Sequence, residues 1–146
     1  MSDLPNVSAQ MNGQLGGWNT AMGLRFTHVT TEQCTGELIV AEQHLQPHGI
    51  VHGGVHAGII EAACSVGAAV VAMGRGQTVV GLENATSFIA ATRGGTLRVT
   101  ATPVTRGRRT QVWQAVVSDD AGKTLATGRV RLLCLDAGSE LAGKQT

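Results

Sequence analysis

Tyrosine is absent from this chain of 146 residues, and aromatic residues of all kinds make up only 3%. A protein that holds single-stranded nucleic acid needs stacking rings and a basic groove. Neither is on offer here, because 11 Lys and Arg nearly cancel 10 Asp and Glu, for a net charge of +1. A nucleic-acid partner is therefore not expected. Cysteine is scarce as well: Cys34, Cys64 and Cys134 are odd in number and lack metal-ligand spacing. They read as reduced, mostly buried thiols of a cytoplasmic protein. The start, Met1-Ser2-Asp3-Leu4-Pro5, lacks a basic region followed by an apolar one, so no secretory signal is read there. The length suits one domain over residues 1–146 with a sizeable core.

Charge is also missing from the middle of the chain. Val55–Met73 is apolar with a single carboxylate, Glu61, and the next charge is Arg75. The run approaches membrane-spanning length, but Glu61, His56, Ser65 and its glycines point to a buried helix instead. Gly53 or Gly54 opens this helix and Gly74 and Gly76 end it. Residues three, four and seven positions from Glu61 are Gly54, Ala57, Gly58, Cys64, Ser65 and Ala68, all small. Glu61 therefore lies on a face that a backbone or ligand can approach closely. A carboxylate partly stripped of water there is a candidate for chemistry, whereas a solvent-facing Glu would normally have charged company.

Around the helix the pattern is β-like. Gln14–Met22 reads as a short helix anchored by Trp18. Leu24–Thr31 and Gly36–Glu42 read as strands joined by a turn through Thr31–Thr35. Beyond Gly76, Thr78–Ala91, Thr96–Thr105, Thr110–Ser118 and Thr124–Leu135 are rich in Val, Thr, Leu and Ile. Turns fall at Arg93-Gly94-Gly95, Arg106-Gly107-Arg108 and Asp119-Asp120-Ala121-Gly122. The ends, residues 1–13 and 136–146, read as loose, and the folded core spans about 24–135. The fold class is α+β: one antiparallel sheet whose face is covered by one long helix. That helix has little polar surface, so its other face needs cover, and a second subunit is the natural one.

Several residues invite a chemical reading. His44, His48, His52 and His56 recur every fourth position, but Pro47, Gly49, Gly53 and Gly54 interrupt any metal-binding helical stripe. No metal site is expected. Gly53-Gly54-x-x-x-Gly58 lacks the Gly-Lys-Ser/Thr ending of a phosphate loop. It does offer bare N–H groups at a helix N-terminus, suited to negative charge developing on an oxygen. Ser65, one turn after Glu61, is a nucleophile or, without a Gly-x-Ser-x-Gly elbow, a helper that hydrogen-bonds Glu61 or water. Gln46 either donates its amide to a carbonyl or is a plain loop residue. Arg106, Arg108 and Arg109 around Gly107, with Arg93 and Arg98 nearby in sequence, form a solvated turn or a phosphate-binding rim.

These motifs together resemble the hotdog-fold acyl-CoA thioesterases of the PaaI-like group. The likeness runs from about Leu24 to Leu135. Its core is Gln46-Pro-x-Gly49-x-x-His52-Gly53-Gly54 followed by Glu61 and Ser65. Val79-Val80-Gly81-Leu82-Glu83 and Gly107-x-Arg109-x-Gln111-Val112-Trp113-Gln114 extend it. These segments are most similar to 1,4-dihydroxy-2-naphthoyl-CoA thioesterases, whereas Asn84–Phe88 is similar to Arthrobacter-type 4-hydroxybenzoyl-CoA thioesterases. The resemblance implies a six-stranded antiparallel sheet wrapped round the long helix, in dimers and usually tetramers. It implies that the Gly53 N–H polarises a thioester carbonyl and that Glu61 is nucleophile or general base. Gln46 and Ser65 assist, and His52 orients the loop. Phe88 departs from the His that the naphthoyl-CoA enzymes tend to carry there.

The expected activity is thus hydrolysis of an aromatic or bulky acyl-CoA, without metal or redox cofactor. A dehydratase or hydratase using His52 and Glu61, and a non-catalytic acyl-CoA binder, are the alternatives. Arg93, Arg106, Gly107, Arg108 and Arg109 are the expected contacts for CoA phosphates. One distance shapes the assembly. Gly53 and Glu61 are about 12 Å apart along a helix rising about 1.5 Å per residue. A carbonyl held at Gly53 and attacked by the same chain's Glu61 does not plainly fit that gap. Two antiparallel helices across a two-fold axis close it, so a homodimer with shared sites, doubled into a tetramer, is expected.

Overall fold

The computed structural model describes residues 4–146. After helices α1 (Ser8–Asn12) and α2 (Gly17–Met22) come strands β1 (Arg25–Val29) and β2 (Cys34–Ile39). A single 3-10 turn, Glu42–His44, leads to the long helix α3 (Gly53–Met73). Strands β3 (Gln77–Phe88), β4 (Thr96–Arg106), β5 (Thr110–Ser118) and β6 (Thr124–Asp136) follow. They form one antiparallel sheet in the order β1-β2-β4-β5-β6-β3. The sheet curls around α3, which is the architecture that the resemblance implies.

Period-two alternation decides which sheet face meets the helix. Leu97, Val99 and Ala101 of β4 are buried while Arg98 and Thr100 face outward. On β5 the buried set is Gln111, Trp113, Ala115 and Val117. Against them α3 buries Ile59, Ile60, Ala63, Cys64 and Ala68. By length and composition α3 is apolar enough to cross a bilayer, with a mean hydropathy of 1.7, yet most of it is buried against the sheet. Each fully buried Leu, Ile or Val in this layer contributes about 1.5–3 kcal/mol.

Two contacts set how closely the layers approach. Trp113 is fully buried, and its ring lies where a side chain on Gly67 would stand: a Cβ there would be 2.5 Å from the ring. The ring is fixed, because its Nε1–H donates to Gln111 Oε1 at 3.0 Å. Gln111, also fully buried, uses its Nε2–H to donate to the Ala68 carbonyl of α3 at 3.0 Å. The Gln111-x-Trp113 spacing places both side chains on the inner face, so one strand supplies both the wedge and the polar clasp. The three cysteines are free and buried. Burial alone pushes the Cys34 thiol up to about 12, and burial is the main cause of the upward shift at Cys64.

The structure differs from the sequence expectations at four places. Residues 1–13 were expected to be loose; 1–3 lie outside the described residues, but in the rest Asn12 clasps the Phe26 backbone through both its amide nitrogen and oxygen, each at 2.8 Å. Asn6 Oδ1 accepts from Val29 N–H at 2.9 Å, and Met11 is buried. Side-chain amides thus complete the outer edge of β1, a role that polar residues hide in a sequence. Trp18 is not the anchor of α2: it is 63% exposed, and Met22 is the buried residue. Both lie against Gly58 of α3, but Trp18 spreads over the helix's open face. The strand expected to reach Glu42 stops at Ile39, because the Ala41 N–H turns to His44 Nδ1 at 2.8 Å. The tail, expected to fray, folds into a small ribbon of β7 (Glu140–Leu141) and β8 (Lys144–Gln145).

The Trp113 wedge generates a prediction. Gly67→Ala gains helix propensity worth about 1 kcal/mol, but it drives a methyl into a ring that cannot retreat. The expected net loss is about 1–3 kcal/mol, read as a lowered urea midpoint with an unchanged slope. Gly74→Ala at the α3 C-terminus, where a Cβ meets nothing closer than 3.5 Å, should leave the midpoint nearly in place.

Candidate active site

Glu61 sits in the third turn of α3, half-buried. Strand β3 returns antiparallel alongside α3 and brings two residues to its carboxylate. Asn84 Nδ2–H donates to Glu61 Oε2 at 2.9 Å and to the Ala57 carbonyl at 3.1 Å. Thr86 Oγ1–H donates to Asn84 Oδ1 at 2.6 Å, which fixes which end of the amide faces Glu61. The other carboxylate oxygen lies over Gly81, where an added Cβ would be 2.5 Å from Oε1. Ser65 Oγ–H reaches that same oxygen at 3.4 Å, a long bond that assists more than it holds.

Gly81 and Asn84 are three positions apart, so a regular strand would point them to opposite faces. The β3–β6 register shifts between Gly81 and Glu83, a bulge that leaves Leu82 without an opposite number. This extra residue reverses the alternation and turns both Gly81 and Asn84 toward Glu61. Sequence reading singled out neither residue for a role. Two small or polar residues on a strand carry no period-two signal once a bulge intervenes.

The helix N-terminus is built by the loop before it. Gln46 N–H donates to the Ile50 carbonyl at 2.9 Å and Gly49 N–H to the Gln46 carbonyl at 2.8 Å. The Gln46 side-chain oxygen accepts from His48 N–H, so the side chain tightens this turn. His52 is the N-cap: its Nδ1 accepts from Gly54 N–H at 2.8 Å. The proton of the neutral ring therefore sits on Nε2. Its carbonyl takes Val55 N–H at 2.9 Å. That leaves the Gly53 N–H without a partner among the described residues, at the positive end of the helix dipole. The Phe88 ring packs on Gly53, where an added Cβ would be 2.7 Å from Cζ. The N-terminal turn and the end of β3 thus make one surface.

Within one chain, not all the expected site residues come together. Gly53 begins α3 and Glu61 lies eight residues further along, so the two stand about 12 Å apart on the helix axis. The arginines divide. Arg93 lies at the Gln46–Gly53 end, donating to the His48 carbonyl at 2.7 Å. Arg106, Gly107, Arg108 and Arg109 lie at the other end of β4, roughly 30 Å away along the strand. There Arg75, just past the end of α3, donates to the Arg106 and Gly107 carbonyls. A rim made by all these arginines in one chain is ruled out by this separation. Arg106 is committed to Glu32 and the Thr31 carbonyl. Arg108 and Arg109 are exposed and enter none of the ion pairs among the described residues.

The histidine series does not converge. His44 is buried, with Nδ1 accepting from Ala41 N–H and Nε2 against the Met22 carbonyl at 2.7 Å. His52 caps the helix, His48 is exposed and His56 is buried. Among the described residues no three His, Cys, Asp or Glu side chains cluster as metal ligands.

Known proteins share this chain's sequence pattern and fold. Residues 48–126 match the thioesterase superfamily. The Mycobacterium tuberculosis protein Rv1847, provisionally named an esterase, is 35% identical over 94% of this chain and 99% of its own length. Its solved structure superimposes with a TM-score of 0.81, covering 82% of this chain and 97% of that one. The 1,4-dihydroxy-2-naphthoyl-CoA hydrolase of Listeria monocytogenes is 32% identical over 77% of this chain and 91% of that protein. A thioesterase structure from Haemophilus influenzae, 25% identical, covers 88% of this chain and 90% of that one with a TM-score of 0.83. With its sheet wrapped round α3 in the hotdog arrangement, the chain belongs to the thioesterase superfamily.

Proposed function

We propose that the protein hydrolyses an acyl-CoA thioester, with an aromatic or similarly bulky acyl group, to the free acid and CoA. The observation that carries this reading is the pairing of an oriented carboxylate with a partnerless N–H. Asn84 holds Glu61, and Gly53 N–H is left open at the helix N-terminus. The Gly53 N–H polarises the thioester carbonyl and stabilises the oxyanion. Glu61 attacks the carbonyl carbon, or takes a proton from the water that does. The C–S bond then breaks and CoA leaves as a thiolate that is protonated to the thiol; where Glu61 is the attacking group, water then cleaves the mixed anhydride to the free acid and restores the carboxylate. Ser65 and Gln46 support Glu61 and the loop, and His52 holds the N-terminal turn. The reaction so written uses no metal or redox cofactor. The buried, unpaired thiols support a cytoplasmic setting.

The 12 Å separation makes one chain half of a site. The open face of α3 carries Gly54, Ala57, Gly58, Glu61 and Ser65, and beside it the free edge of β3 runs for 12 residues. Leu82, Met73 and Trp18 are exposed. A long bare strand edge beside an apolar face is a surface that native proteins cover. We infer a homodimer with antiparallel helices, each Glu61 facing the partner's helix N-terminus, and a further doubling into a tetramer. The same two-fold brings the Arg108 and Arg109 end of one chain toward the Arg93 end of the other, and Arg108 and Arg109 then meet the CoA phosphates.

Five experiments test these statements. Glu61→Gln should lower kcat/KM for benzoyl-CoA by about 10²–10⁴-fold with an unchanged unfolding midpoint. Gly81→Ala, which displaces the carboxylate, should lower kcat about tenfold or more. Wild-type turnover by Glu61→Gln would falsify the catalytic assignment. Labelled oxygen from water appearing in the Glu61 carboxyl after one turnover marks Glu61 as nucleophile; its absence leaves it as base. Mixing dead Glu61→Gln chains with chains blocked by Gly53→Pro should restore about half the activity per heterodimer, since each such dimer holds one intact site. Verified heterodimers that stay dead refute shared sites. Finally, Arg109→Ala should raise KM for acyl-CoA about tenfold and spare the matching pantetheine thioester, which lacks the nucleotide phosphates. Equal losses on both would assign Arg109 a structural role.

A further inference from the structure

The turn between β4 and β5 is largely exposed, yet each carbonyl from residue 106 to 109 is tied to the protein. Arg75 forks onto two of them: Nη2–H donates to the Arg106 carbonyl at 2.9 Å and Nη1–H to the Gly107 carbonyl at 3.0 Å. Gln77 Nε2–H donates to the Arg108 carbonyl at 3.2 Å. The Cys134 N–H takes the Arg109 carbonyl at 2.8 Å. Carbonyls of an exposed turn can be left to water, so four in succession held by protein mark a fixed backbone. Arg75 is anchored in turn, because its own N–H donates to the Ala72 carbonyl in the last turn of α3 at 2.9 Å. The arginine turn is thus fastened to the end of the helix that carries Glu61.

Gln77 adds a second observation. Its amide nitrogen also donates to Asp136 Oδ1 at 2.9 Å. Both contacts require a donor, so the amide cannot turn round, and Oε1 is left buried without a partner. An orphaned acceptor costs stability, so stabilisation alone does not account for the arrangement. Its effect on charge does. Asp136, a carboxylate in the same corner, is engaged by Gln77 and enters none of the ion pairs among the described residues. Arg106 is engaged by Glu32. Arg108 and Arg109 are left as exposed cations on a turn that is already set.

We propose that Arg75 and Gln77 are positioning residues for phosphate binding: by fixing the backbone of residues 106–109 they set where Arg108 and Arg109 present their charges. An arginine on a loose turn would lose backbone as well as side-chain freedom on gripping an anion. On a fixed turn only the side chain is ordered. Arg75 suits its part because a planar guanidinium reaches two neighbouring carbonyls at once, which a single ammonium on its flexible stem does less well. Neither Arg75 nor Gln77 touches the phosphates. The inference rests on the reading of Arg108 and Arg109 as contacts for the phosphates of CoA.

The test measures kcat and KM for benzoyl-CoA and for the matching pantetheine thioester, with unfolding midpoints alongside. Arg75→Ala and Gln77→Leu should each raise KM for benzoyl-CoA about fivefold to tenfold and leave its kcat within about twofold. Both constants for the pantetheine thioester should stay within about twofold. Arg75→Lys keeps the charge and loses the fork, so it should behave like Arg75→Ala. A wild-type KM in Arg75→Lys beside a raised one in Arg75→Ala makes Arg75 a direct charge for the phosphate and overturns the inference. Equal losses on both esters assign a merely structural role and overturn it too, as does an unchanged KM in Arg75→Ala and Gln77→Leu. If Arg109→Ala separates the two esters and these variants do not, the phosphate reading stands and only this inference falls. If Arg109→Ala does not separate them, the phosphate reading falls and this inference with it.

Discussion

The seating of Trp113 on Gly67 is the contact on which the rest of the structure depends. An indole with no room to move sets the distance between α3 and the centre of the sheet. Gln111 then clasps the helix from the same strand, satisfying the indole N–H and reaching the Ala68 carbonyl. A helix held at that height lets the six strands close around it, so α3 buries most of an apolar surface that would otherwise suit a bilayer. The cost of burying a glutamine is offset because each of its polar ends has a partner.

The site is a consequence of that packing plus one irregularity. With α3 fixed, β3 has to run back beside it, and Glu61 meets whatever the strand presents. A regular strand could present either Gly81 or Asn84 on that face, not both. The bulge at Leu82 delivers a space for one carboxylate oxygen and a donor for the other. At the end of the same strand Phe88 reaches the helix N-terminus, where His52 has consumed one free N–H and left that of Gly53. The orientation of the Glu61 carboxylate and the cover over Gly53 thus come from a single edge strand.

The sequence by itself determined the main elements. A nearly uncharged run bounded by glycines reads as a long apolar helix, and Val- and Thr-rich segments punctuated by Gly turns read as strands that pair antiparallel. Glu61 stood out because a lone carboxylate in such a run has no solvent-facing reason to be there, and Gly53 because a helix must begin with open N–H groups. Tertiary structure alone decided the rest. Asn84 and Gly81 sit far from Glu61 in sequence, and their importance arises from a bulge and a close approach. Trp18 looked like an anchor because large apolar side chains usually are, but burial depends on which neighbour arrives first, and Met22 occupies the interior. The arginines looked like one cluster because a sequence records spacing along the chain, whereas an 11-residue strand carries Arg93 and Arg109 to opposite ends of the fold.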